Sequence, residues 1–114
     1  MLVDINGQVF QAELYDNETT AALGERLPMT ITMEAMNGNE KFYFLDESLP
    51  TNTETVGTIQ KGDIMLYGSN CLVVFYKTFD TGYSYTRLGH IADTEALEAA
   101  LGDGNVTISF RRAE

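Results

Sequence analysis

The chain has no tryptophan, two prolines, one histidine and one cysteine in 114 residues. A lone cysteine, Cys71, excludes an internal disulfide and a cysteine-based zinc cluster. Its setting, "SNCLVV", is that of a buried strand start, where a thiol serves as a small apolar side chain. His90 is expected to be exposed or structurally bonded, and no ligand spacing surrounds it, so neither a metal nor a cofactor is expected. Basic residues are also scarce: seven Lys and Arg stand against seventeen Asp and Glu, a net charge of −10. Phosphate contacts need clustered Lys and Arg, so nucleic acid and anionic membranes are not expected partners. The only adjacent basic pair is Arg111-Arg112. No apolar run approaches the ~18 residues of a membrane-spanning helix. The start, "MLVDINGQVF", lacks the basic and long apolar regions of a signal peptide, and a cytoplasmic location is the expectation. "GERLPM" and "GDGN" do not fit a phosphate loop, and Ser69 and Ser84 have no visible base partner.

What the chain does have is apolar residues, at 44%, and alternation, enough for one domain over residues 1–114. "LVDINGQVFQAELY" reads as a hairpin turning at Asn6-Gly7, because a type I′ turn needs positive φ at both central positions. "DNETTAALGERLP" reads as a short helix capped by Asp16 or Asn17 and stopped by Pro28. "MTITMEAM" alternates like a strand with one buried face, and "EKFYFL" follows as a second strand. "DESLPTNTETVGTIQKGD" is polar and without clear periodicity, so a surface excursion is expected there. Strands are then expected at 63–67 and 71–76, joined at Gly68-Ser69-Asn70, with Asp63 bonding backbone groups at the strand start. "YTRLGHI" is a strand interrupted by Gly89, a mark of a bulge or of close backbone approach. "DTEALEAAL" is a helix capped by Asp93 or Thr94, with Leu97 and Leu101 paired at i, i+4. "NVTISF" closes the chain as a strand.

Two helices cannot cover both faces of so many strands, whereas a sheet closed on itself leaves no edge to protect. The expected fold is therefore mainly β: an antiparallel barrel with two short capping helices. This order resembles the cyclophilin fold, an eight-stranded closed barrel capped by two helices, over nearly the whole chain. "YDNETTAALGERLPMTITM", "NEKFYFL", "GDIMLYG", "LVVFYK" and "LGHI" together resemble a group of small bacterial and archaeal cyclophilin-like proteins. Resemblance to true cyclophilins implies peptidyl-prolyl isomerisation, which must lower a barrier of roughly 18–20 kcal/mol set by amide resonance. In that family an arginine on a groove strand bonds the prolyl nitrogen. The corresponding strand here, "EKFYFL", has no arginine, and Lys41 cannot supply the planar guanidinium fork.

The candidate site is a groove involving Glu40, Phe42, Tyr67, Phe75, Tyr76 and Arg87. Strand alternation places Phe75 and Tyr76 on opposite faces, and the expectation is Phe75 in the core and Tyr76 in the groove. The ligand expected is a small molecule or a peptide. The alternatives are an isomerase of weak or altered activity, or another enzyme using Glu40 as acid or base. A homodimer is compatible with this composition, but nothing specifies an interface.

Overall fold

Asn6 and Gly7 open the fold with φ of 54° and 87°, the positive pair that a tight hairpin requires. They join β1 (Leu2–Ile5) to β2 (Gln8–Leu14). The computed structural model describes residues 1–113. Asn17 then caps α1 (Glu18–Glu25): its side chain accepts the Thr20 N–H at 2.8 Å, and the Thr20 hydroxyl accepts the Asn17 N–H at 3.1 Å. This reciprocal box satisfies two backbone donors that the first turn leaves without partners.

The chain continues through β3 (Met29–Met36), β4 (Glu40–Phe44), β5 (Glu54–Thr55), β6 (Thr58–Ile59), β7 (Asp63–Tyr67) and β8 (Cys71–Phe75). It ends with β9 (Phe79–Asp80), β10 (Ser84–Ile91), α2 (Thr94–Leu101) and β11 (Val106–Arg111). Eight strands run antiparallel in the order β2-β1-β11-β3-β4-β8-β7-β10, and β10 pairs back to β2, closing the barrel. Short β5 extends from β10, and β6 pairs with β9 as a separate ribbon. The polar stretch expected as a surface excursion is thus partly ordered: it contributes β5 and β6, and Ile59 is fully buried.

Gly89 is where β10 shifts register, between Arg87 and Gly89. A Cβ there would lie 2.5 Å from the Glu13 carbonyl oxygen. The bulge and the close approach expected at this glycine therefore coincide, and together they let β10 serve both β7 and β2. Asp93 stands at the start of α2 without a side-chain cap bond, and Leu97 and Leu101 of that helix are buried.

Two apolar clusters result. The interior cluster includes Val3, Ile5, Met33, Leu66, Leu72, Val74 and Phe110, with Leu23 from α1 and Leu97 and Leu101 from α2. The second lies on the outer wall and comprises Ile59, Met65, Cys71, Val73, Phe75 and Tyr85. All five residues of β8 are buried, because alternation sends Leu72 and Val74 inward and Cys71, Val73 and Phe75 outward. Phe75 and Tyr76 do point opposite ways, but in the reverse sense to that expected: Tyr76 joins the interior cluster and Phe75 the outer one.

Lys41 faces inward from β4. It is fully buried, and its ammonium donates to the Gly102 carbonyl at 2.9 Å and also to that of Gly104. Its Nζ lies 5.5 Å from the centre of the Tyr76 ring. Burial holds its pKa below the usual lysine value, and Asp103 opposes that shift.

Candidate functional site

The outer wall of β4, β8, β7 and β10 carries a cavity of about 290 Å³. The pairing register explains its lining. Glu40, Phe42 and Phe44 face outward at alternate positions of β4, opposite Phe75, Val73 and Cys71 of β8. Tyr67 at the end of β7 pairs with Cys71. Tyr85 on β10 and Tyr83 just before it close the far side, and Met36 at the end of β3 and Asn37 of the β3–β4 turn close the near side. That turn uses Asn37 and Gly38 at φ of 56° and 67°, again the positive pair.

The aromatic walls are built from edge-on and tilted contacts. Phe42 and Phe44 have ring centres 5.6 Å apart, Tyr67 and Tyr83 5.9 Å, and Tyr67 and Tyr85 5.5 Å. Beneath them, Phe75 supports Tyr85 at 5.6 Å and Phe79 at 5.7 Å. Among the described residues, four of the six large apolar side chains left exposed line this cavity: Met36, Phe44, Tyr67 and Tyr83. Such clustering on one face is not the scatter of single apolar residues normal to a protein surface.

Among the described residues, Glu40 is the only charged one in the lining. It is half-buried, and burial alone raises its pKa, with no hydrogen bond or neighbouring charge offsetting the effect. Its field reaches across the floor. Burial first, and the Glu40 charge second, push the Cys71 thiol up to about 11, and the same two causes raise the Tyr85 phenol. Cys71 is therefore a protonated floor residue at neutral pH and not a nucleophile.

Of the residues expected from sequence, Glu40, Phe42 and Tyr67 meet in this cavity. Phe75 lies under it as support, fully buried. Tyr76 is not part of it, because it turns into the barrel. Arg87 faces outward on β10, two residues beyond Tyr85, but it is not in the lining, and its Nε donates to the Glu54 carboxylate at 2.8 Å. Lys41, the cation on the strand where the resemblance would place an arginine, points into the interior. Reading the sequence did not bring in Met36, Asn37, Phe44, Cys71, Val73, Tyr83 or Tyr85 as site residues. The alternation of Tyr83-Ser84-Tyr85, with two aromatics on one face of a strand entry, was the available sign.

A larger hollow of about 650 Å³ lies between β2 and the end of β10, lined by Gln11, Glu13, Tyr15, His90 and Ala92. It lacks an aromatic wall, and its histidine has a structural partner: His90 Nδ1 sits 3.0 Å from Asp63 Oδ1. Asp63 Oδ2 accepts the Gln60 N–H at 2.8 Å, the backbone bond expected at this strand start. Among the described residues no group of three or more His, Cys, Asp or Glu side chains could hold a metal ion. No helix of the described residues is long and apolar enough to cross a membrane.

Fold and site together define a small closed β-barrel with an aromatic pocket on its outer wall. Residues 3–111 match the model of the Cyclophilin-like family, and the chain belongs to that family. No curated protein and no solved structure matches it.

Proposed function

We propose that this barrel is a binding module whose outer-wall pocket takes a small molecule. The observation that carries this is the concentration of exposed aromatic and apolar side chains around one cavity with a single unpartnered carboxylate at its edge. A concave, mostly apolar surface with few polar groups is the usual form of a small-molecule site. At about 290 Å³ the cavity suits a ligand at the small end of that range.

Two features support binding over catalysis. Among the described residues the lining holds no Lys, Arg or His, so no cationic donor there stands ready to bond a prolyl nitrogen. Its titratable groups other than Glu40 are phenols and a thiol, so Glu40 has no second group with which to divide acid and base roles near neutral pH. A thermal-shift screen of small metabolites against wild type and the exposed-wall variants Phe44→Ala and Tyr83→Ala tests the proposal. Saturation at about 100 times Kd adds about 2.7 kcal/mol of stability, easily visible as a raised Tm. The expected hit stabilises wild type and loses most of that effect in both variants. Hits that stabilise all three proteins equally contradict it.

A further inference from the structure

We infer that the pocket receives a small alkylammonium cation, its charged head against the Glu40 carboxylate and its carbon atoms among Phe42, Phe44, Tyr67, Tyr83 and Tyr85. This rests on the outer-wall pocket being the ligand site and names the chemical class that fits it. Aromatic rings attract a cation through their negative faces, and they also shed water from its methyl or methylene groups. A partly buried carboxylate without a partner is an unmet electrostatic demand, and an arriving cation meets it.

The chain does not supply that cation itself. Six of its seven basic side chains are engaged elsewhere: Lys41 with the Gly102 and Gly104 carbonyls, Lys61 and Lys77 with Glu98, Arg26 with Glu47, Arg87 with Glu54, and Arg112 with the Gly24 carbonyl. The seventh, Arg111, ends β11 opposite Leu2 of β1, and β3 lies between its strand and β4. A bare metal ion is a poor occupant, because one carboxylate among aromatic rings cannot replace its hydration shell. An organic ammonium loses little hydration there. The net charge of −10 also raises the local concentration of cations around the molecule.

The test compares choline with its uncharged carbon isostere, in which a tert-butyl group replaces the trimethylammonium. Amide NMR titrations follow both probes in wild type, Glu40→Gln and Tyr83→Ala. The expected result is choline shifts centred on Glu40, Phe42, Tyr67 and Tyr83. The isostere should bind at least about tenfold more weakly, which corresponds to the ~1.4 kcal/mol that a partly desolvated cation contact supplies. Glu40→Gln should cut that preference several-fold, leaving only the share due to the rings, and Tyr83→Ala should weaken choline while leaving the fold intact. Equal binding of the two probes in the pocket overturns the cation inference and leaves the small-molecule reading standing. Choline shifts spread over the acidic surface, or unchanged by Glu40→Gln, also overturn it. Pocket resonances that move with neither probe overturn the cation inference, and the metabolite screen then decides the small-molecule reading separately.

Discussion

At Glu40 stability and the proposed binding role pull in opposite directions. Its folded-state pKa is raised by burial, so between the unfolded and folded values the native chain holds a proton that the unfolded chain has released. Stability tied to Glu40 is then greatest below the unfolded pKa and is lost as pH rises through the folded one. Glu40→Gln removes that loss, and its Tm should exceed that of wild type at neutral pH, with the difference closing as pH falls below the ordinary carboxylate range. Melting curves of both proteins across that range check this; a Tm lowered at all pH values would make Glu40 a structural residue. The opposite sign belongs to its neighbour Lys41. Lys41→Ala leaves two carbonyls unpaired and a cavity in the interior, and should cost about 3 kcal/mol or more by chemical denaturation. A loss below ~1 kcal/mol would show that the ammonium's burial cancels its bonds.

Among the elements, β8 shows how far a sequence can be read. Its alternation correctly separates Phe75 from Tyr76, but alternation alone does not say which face is inside. A half-exposed strand reveals this through polar residues on its wet side, whereas β8 is apolar on both faces because the barrel covers one and the aromatic cluster the other. The long stretch after β4 hid its order for a related reason: β5 and β6 have only two residues each, too short for a period to show. Local chemistry was far more legible. The Asn6-Gly7 turn, the Asn17 cap and the Gly89 bulge each depend on one or two residues whose conformational demands are strong. The Gly89 contact gives a direct test. Gly89→Ala places a methyl group 2.5 Å from the Glu13 carbonyl oxygen and should destabilise the fold by about 1–3 kcal/mol. An unchanged denaturation midpoint would mean that β2 and β10 separate there without cost.

For the whole molecule, barrel closure was legible because so many strands with only two helices favour a sheet that closes on itself and leaves no edge. The pocket was legible only in part. Glu40, Phe42 and Tyr67 come from β4 and β7, which lie on either side of β8 in the sheet, while Tyr83 and Tyr85 arrive from a strand entry distant in sequence. The same pocket bears on isomerisation. Without a cationic donor in the lining, a protease-coupled assay on an X–Pro peptide should show the uncatalysed rate even at high protein concentration. A rate above background would point to Asn37, the lining's one side-chain amide, as the donor. On the proposed function, a ligand lands on the outer wall and not in the His90 hollow. An amide NMR titration of the full chain with a small-metabolite library decides between the two. Shifts clustered at Glu40, Phe42, Tyr67 and Tyr83 are expected. Shifts clustered at Gln11, Glu13 and His90 would contradict it.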